Sequence, residues 1–498
     1  MKRTFVLLAS TCLQITLAAG PAASPIQPHP ESPHRFLFRE KPTVLLSVGE
    51  HYASLINRDF DFRLYHESLA EAGLNQTRVF SGSFRGPLGQ AEDLISPRWP
   101  ENFVPPWAWT DEPGGYDGRK FDLDRWNPEY FARLEEVLRS ASAHGVVVEL
   151  VLFCTLYDER CWHLNPLNAA NNMQCEGVLD SPAEFLTLRH PSIVARQKDL
   201  VRRLVAACRE FDNVYFEVAN EPYWSRKGEP AVTIEERAAW HAEIIRTIRA
   251  AESDLSPSQR HMIAINEWFE VPEKAEVGVI NLHYVGEGGF TGAMTGLDKF
   301  SGLGKALVFD ETEFERSNRV RRYCVGDARV EAWEFMLGGG SGYSNLALPH
   351  YTAQDERGSA PVPVELRRQI GALKRFLDGL DLVALRRDGS LLAEPPPAGA
   401  FARAMSVPGR FYVLYLHQSD PGGVDARRKP SYEVRTGDYQ TDLVLDLPAG
   451  TYELAWIEPV DASVRSTVPL THAGGRCVVP TPNYTDDIAL TIRRVAAP

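Results

Sequence analysis

Short apolar runs punctuate the chain between residues 43 and 344, and amphipathic stretches fill the intervals. Eight runs have the length of strands: Thr43–Val48, Gln76–Phe80, Val146–Phe153, Asn213–Ala219, Met262–Asn266, Val277–His283, Ala306–Asp310 and Ser341–Ser344, the last short and flanked by glycine. Most are continuously apolar rather than alternating, the pattern of parallel strands covered on both faces. The intervals carry helix signals. Asn127-Pro128 is an N-cap with proline at the first turn, and Phe131, Leu134, Leu138 and Ala141 follow at helical spacing. Thr233 and Glu236 form a capping box ahead of Trp240, Ile244 and Ile248. Asp61 opens a further helix that carries Tyr65, Leu69 and Ala72 and ends at Gly73. Eight strand–helix alternations predict an α/β fold, a (β/α)8 TIM barrel. The rival, a doubly wound open sheet, usually carries a glycine-rich phosphate turn after its first strand, and "SVGEHYASL" has no G-x-G-x-x-G.

Near residue 385 the texture changes. "EPPPAGA" breaks the pattern, and short alternating strands with Gly, Pro and Asp turns follow, predicting a small all-β sandwich. The expected division is a signal peptide over 1–23, the barrel over 24–384 and the sandwich over 385–498, with residues 24 to 35 read as a linker. The signal peptide rests on Lys2 and Arg3, an apolar stretch from Phe5 to Ala19, and small residues after it. It predicts a secreted or periplasmic protein, and no other segment has the length and apolarity to span a bilayer. A net charge of -13 without basic blocks argues against a nucleic-acid partner. Cys161 and Cys175 share one loop-like segment and are the expected disulfide. The cysteines and nearby histidines lack paired metal-ligand spacing, so no metal site is expected. Oligomeric state is not legible.

Functional side chains of such a barrel sit at the C-terminal ends of its strands. The polar residues there are Arg78 on the second strand, Asn220-Glu221 on the fourth, Asn266-Glu267 on the fifth, His283-Tyr284 on the sixth and Asp310-Glu311 on the seventh. Two glutamates converging from separate strands suit glycoside hydrolysis, in which one protonates the leaving oxygen and the other attacks the anomeric carbon or activates water. Glu221 ends an apolar strand, "FEVANEPYW", and Pro222 favours an extended backbone at the residue before it. Period-two alternation puts Glu313 on the same side as Glu311, and Glu267 is a third rival. Taken alone, a strand-end glutamate more often opens a solvated loop. Loop aromatics could stack on sugar faces: Trp109, Trp162 and Trp224, with Trp99, Trp107, Tyr116 and Tyr157 nearby.

"NVYFEVANEP" resembles the fourth strand of the clan A glycoside hydrolases, "KALVFDE" their seventh, "GLNQTRVF" their second and "INLHY" their sixth. The resemblance covers residues 35 to 382 and is nearest to the cellulase-like family five and secreted relatives with a trailing β-sandwich. It implies Glu221 as general acid/base, Asn220 holding the sugar's 2-hydroxyl, Glu311 as nucleophile with Glu313 a loop residue, and Arg78 supporting the nucleophile. His283 and Tyr284 become candidates, with Tyr284 bonding the nucleophile. The chain departs from the family in having His283 and Tyr284 adjacent rather than separated by one residue, and Ala306 where proline commonly stands. A carbohydrate substrate, retention of anomeric configuration and no cofactor are the expectations. The alternatives are a carbohydrate-binding barrel that has lost turnover and a transglycosylase sharing the same intermediate.

Overall fold

The computed structural model describes residues 24–49, 51, 53–84, 102–115, 118–223, 232–266, 274–283, 285–286, 289–290, 293–312, 325–346, 361–420 and 432–495. Eight parallel strands form its central sheet: Leu45–Gly49, Gln76–Phe80, Val147–Cys154, Val214–Asn220, Ile263–Asn266, Val277–Leu282, Ala306–Thr312 and Gly342–Leu346. From the second to the eighth each pairs with its sequence neighbour, and the eighth returns to pair with the first. Asn75 N–H donates to Leu46 O at 3.1 Å and Phe80 N–H to His51 O at 3.1 Å, drawing the first and second strands together. All eight lie where the apolar runs place them. At Gly342 a Cβ would stand 2.8 Å from the Leu45 carbonyl, so glycine lets the eighth strand close on the first.

The helices form where capping chemistry marks them. Asp61 accepts from Leu64 N–H to open Phe62–Glu71, Asn127 caps Pro128–Ala143, and Thr233 and Glu236 make a reciprocal box at Ile234–Ala251. Their apolar faces and the outer faces of the strands share one hydrophobic core.

The segment read as a linker is structured. Gln27–His29, Ser32–Phe38 and Lys41–Thr43 form an antiparallel sheet. Fully buried Ile26, just before this sheet, and Phe36 within it pack with Leu45, Val147, Tyr215, Met262, Val279 and Ala306, near the N-terminal ends of the barrel strands. Proline and polar content suggested a leader, but prolines fit the extended strands of a small sheet, and the two apolar side chains plug the barrel floor.

The expected disulfide is absent: Cys161 and Cys175 are both free thiols. Cys161 faces the core from the helix Glu159–Leu164, whereas Cys175 sits exposed on a turn with φ of 50°. Among the described residues no helix is long and apolar enough to cross a membrane.

The C-terminal residues form a β-sandwich. Its larger sheet runs Arg386–Arg387, Phe401–Val407, Phe411–His417, Asp487–Val495, Gly450–Glu458 and Ser463–His472, and Asp442–Leu447 pairs with Gly475–Pro480 over one face. Alternation along Phe411–His417 divides its side chains between two cores. Tyr412, Leu414 and Leu416 enter the sandwich interior, while Val413 and Tyr415 join the barrel core. Tyr415 stacks on Trp333 of the helix Val325–Leu337, with centroids 5.4 Å apart. That helix is buried on every side, so its charges find partners in the sandwich. Arg329 meets Asp487 through two 3.0 Å contacts, and Glu334 accepts from Tyr432 and lies 2.9 Å from Arg403. Replacing Arg329 by alanine strands Asp487 in the interface and should lower stability by about 3 kcal/mol, read as a fall in melting temperature.

Candidate active site

The barrel interior has two tiers. The floor is apolar, built by Leu45, Val147, Tyr215, Val279, Ala306 and Val308. Above it the inward positions turn polar: Gln76 and Arg78 on the second strand, Glu149 on the third, Glu217 on the fourth, Asn281 on the sixth and Asp310 on the seventh, all at most 1% exposed. A barrel interior is ordinarily filled by branched apolar side chains. Buried charge here has to be paired or protonated.

Arg78 organises the mouth. Its Nε and Nη2 donate to Glu217 Oε2 at 2.9 and 2.6 Å, its Nη2 also to Asn220 Oδ1 at 2.7 Å, and its Nη1 to Glu311 Oε2 at 2.7 Å. Asp310 stands 3.0 Å from Nε. One guanidinium thus serves three carboxylates, which together raise its pKa despite the opposing effect of burial.

Glu221 sits just beyond the fourth strand. Its carboxylate accepts from Tyr157 Oη at 2.7 Å and faces His283 Nδ1 at 3.1 Å, and its N–H donates to Asn266 Oδ1 at 3.0 Å. Its φ is 46°, left-handed rather than the extended backbone that Pro222 favours. Three polar anchors hold the residue there against a cost of about 1–3 kcal/mol, the kind of local strain that clusters at functional sites. Asn220 Nδ2 donates to Tyr157 Oη at 2.9 Å, so a polar chain runs from Glu311 through Arg78, Asn220 and Tyr157 to Glu221. One oxygen each of Glu221 and Glu311 and a nitrogen of His283 lie within 4.8 Å of one another. Each glutamate side chain keeps 15% of its surface open, enough for a ligand atom to reach it.

The environment drives these groups apart. Burial raises the Glu221 pKa, but the hydrogen bond and charge of His283, the Tyr157 hydroxyl and Arg78 outweigh it, so it lies below the usual glutamate value. Glu311 is raised: burial dominates, Glu221 and Asp310 add to it, and His283 and Arg78 offset it only in part. His283 loses basicity to burial and regains more from Asp310, Glu221 and Glu311, which makes it an imidazolium at neutral pH. His51, beyond the first strand, is held neutral by burial and by the charges of Arg78 and His283. Replacing Tyr157 by phenylalanine removes a donor from Glu221 and should raise its pKa. If Glu221 supplies the proton, the alkaline limb of activity moves to higher pH and kcat/KM falls about tenfold, as a pH-rate profile would record.

Two trios have the spacing to close on a cation: Glu221, His283 and Glu311, and Glu149, Glu217 and Asp310. A protein cation already stands against each, His283 in the first and Arg78 in the second.

Of the residues singled out in the sequence, Arg78, Asn220, Glu221, His283 and Glu311 come together. Tyr284 and Trp224 lie outside the described residues, as do Glu267, Glu313, Trp99 and Tyr116. Trp162 is not brought to the mouth. It is 6% exposed and packs on Phe185 with centroids 6.1 Å apart, which leaves no ring face for a sugar. Trp109 stacks on Phe121 at 4.1 Å within the hairpin Trp107–Pro113/Arg119–Trp126, and Arg119 covers it at 4.8 Å. Tyr157, read as a loop aromatic near the sugar-stacking candidates, donates its hydroxyl to Glu221. Glu149 and Glu217 were missed. Their signal was an acid in the middle of an otherwise apolar strand, in "VVVELVLF" and "VYFEVAN".

No family model matches the chain, and no curated protein matches it in sequence. The architecture does have solved counterparts. One, described as a glycoside hydrolase, superimposes with a TM-score of 0.60 over 95% of this chain and 98% of its own, at 11% identity. A family 5 glycoside hydrolase from Bacteroides vulgatus gives a TM-score of 0.57 over 95% and 94%, also at 11% identity. Both alignments span barrel and C-terminal sheets, so the shared fold is a TIM barrel with a trailing β-sandwich.

Proposed function

We propose that the chain is an exported retaining β-glycoside hydrolase, with Glu221 as general acid and base and Glu311 as nucleophile. The observation that carries this reading is the meeting of two carboxylates from the fourth and seventh strands at the barrel mouth, with oxygens within 4.8 Å. Retaining enzymes keep their carboxyl groups about 5–5.5 Å apart, whereas inverting enzymes need about 6.5–9.5 Å to admit a water. Arg78 on Glu311 supports the nucleophile role, since its Nη1 bond at 2.7 Å favours the ionised carboxylate. The class named for the solved counterparts supports the same chemistry, and the N-terminal pattern supports export.

Turnover needs the proton on Glu221 and the charge on Glu311, while burial and the surrounding side chains shift the two pKa values the other way. Two carboxyls this close titrate as a pair, so one proton can reside on either. A bound glycoside selects the productive arrangement. Its bridging oxygen accepts the proton from Glu221, and the positive charge developing at the anomeric carbon stabilises an ionised Glu311. Attack then forms a glycosyl ester on Glu311 as the leaving alcohol departs with the proton. Glu221 next takes a proton from water, which hydrolyses the ester with net retention. His283 holds the ionised Glu221 between steps.

The test is hydrolysis of aryl β-glycosides and polysaccharides by the wild type beside Glu221→Gln and Glu311→Gln. Cleavage by the wild type, lost in both variants, is the expected result. Binding without cleavage by all three would replace the enzyme with a carbohydrate-binding barrel.

A further inference from the structure

Below the proposed catalytic pair lies a tier of acids that the chemistry above does not use. Glu149, Glu217 and Asp310 are each 0% exposed, and one oxygen of each lies within 4.8 Å of the other two. The groups facing them are Gln76 and Arg78 from the second strand, Tyr215 from the fourth, Asn281 and His283 from the sixth, and Glu311 and Glu221 at the rim. Among these described groups, Arg78 and His283 are the cations available to five carboxyls.

Glu149 is satisfied by neutral donors, Asn281 Nδ2 on Oε1 at 2.5 Å and Gln76 Nε2 on Oε2 at 3.1 Å. Glu217 is placed differently. Its Oε2 alone receives both Nε and Nη2 of Arg78, which fixes the guanidinium plane and aims Nη1 at Glu311. Its Oε1 is buried and receives no hydrogen bond from the described residues; both Asp310 oxygens also receive none but stand against Arg78 Nε at 3.0 Å and His283 Nε2 at 3.3 Å, which leaves Glu217 Oε1 able to carry a proton. Three carboxyls in so small a buried space, facing one guanidinium and one imidazole, do not all ionise readily.

We propose that Glu217 is a positioning residue for the nucleophile: it holds Arg78 from below and, by keeping a proton within the buried tier, leaves the charge of Arg78 for Glu311. This rests on the catalytic reading given above. The electrostatics agree, because burial, helped by Asp310 and opposed by Arg78 and His283, lifts Glu217 to about 7. Burial, with Asp310 and Glu217, holds Glu149 well above its ordinary value. Once Glu217 ionises, it claims part of the Arg78 charge, and the hold of Nη1 on the ionised Glu311 weakens.

The experiment compares the wild type, Glu217→Gln and Glu217→Leu on one aryl β-glycoside that the wild type cleaves, from about pH 5 to about pH 9, with melting temperatures over the same range. Glutamine mimics the protonated carboxyl and keeps an acceptor for Arg78. Glu217→Gln should retain kcat within about threefold near pH 6 and decline less steeply above neutrality than the wild type, keeping the limb that Glu221 sets. Glu217→Leu removes the acceptor and should lower kcat about a hundredfold with KM within about twofold. A carboxyl raised in the folded state stabilises below its unfolded pKa and loses that contribution as pH climbs to the folded value. Wild-type melting temperature should therefore fall from about pH 5 to about pH 7, and Glu217→Gln should show a shallower fall. If Glu217→Leu does not fold, the two Glu217→Gln profiles carry the test. Wild-type kcat in Glu217→Leu, or wild-type alkaline decline and melting slope in Glu217→Gln, would overturn the inference while leaving the enzyme assignment intact. A wild type inactive on every glycoside overturns the catalytic reading and this role together.

Discussion

Replacing Glu311 by alanine should reduce turnover of an aryl β-glycoside about 10⁴-fold, and azide should restore part of it with inverted stereochemistry. The lost side chain leaves room at the mouth, and a small anion placed there attacks the anomeric carbon directly, giving an α-glycosyl azide. Glu221→Ala should behave as its complement. An activated aryl leaving group departs without acid help, the glycosyl ester on Glu311 forms, and azide attacks it to give a β-glycosyl azide. The product's configuration therefore assigns the two roles independently of any pKa. That independence matters because the surrounding groups raise the Glu311 pKa and lower that of Glu221, the opposite of the order turnover needs. Nuclear magnetic resonance of the two azides reads the answer, and exchanged configurations would exchange the roles.

Replacing Arg78 by methionine should cost about 3–5 kcal/mol of stability at neutral pH, since Glu217 and Asp310 lose the cation between them in a fully buried setting. The loss should depend on pH. Without the guanidinium the folded-state pKa of Glu217 climbs above its present value of about 7. A raised folded pKa gives stability that is complete below the ordinary carboxylate range and drains away as pH rises through the folded value. Arg78→Met should thus fold near pH 5 and melt far lower near pH 8, a contrast that a pair of thermal scans would record. Lysine should not rescue it, because one ammonium cannot reproduce the planar fork that reaches Glu217, Asn220 and Glu311 together.

The barrel was readable because most of its strands are near-continuous apolar runs; Ser341–Ser344, short and Gly-flanked, is the weakest of the eight and still falls on the eighth strand. Glu221, Arg78 and His283 were readable because strand ends of a barrel converge, which turns distant sequence positions into neighbours, whereas Glu311 was told from Glu313 only by the resemblance of "KALVFDE" to a known seventh strand. The buried tier was not. An acid inside an apolar strand argues against burial until its partners are known, and those of Glu149 and Glu217 come from the second and sixth strands. Trp162 shows the opposite difficulty. Its loop position suggested a sugar platform, but a short helix turns the ring inward against Phe185. The N-terminal segment was misread because its fully buried floor residues, Ile26 and Phe36, are set among prolines and polar residues.

The central claim is that Glu311 forms a covalent bond to the sugar. A 2-deoxy-2-fluoro glycoside with an activated leaving group, matched to whichever substrate the chain cleaves, slows both steps, and the leaving group restores the first, so the intermediate accumulates. Mass spectrometry of the inactivated protein should show one added fluoroglycosyl group, and its peptide map should place that group on Glu311. Inactivation without a mass increase, or an adduct on Glu221 or any other carboxyl, would contradict the account.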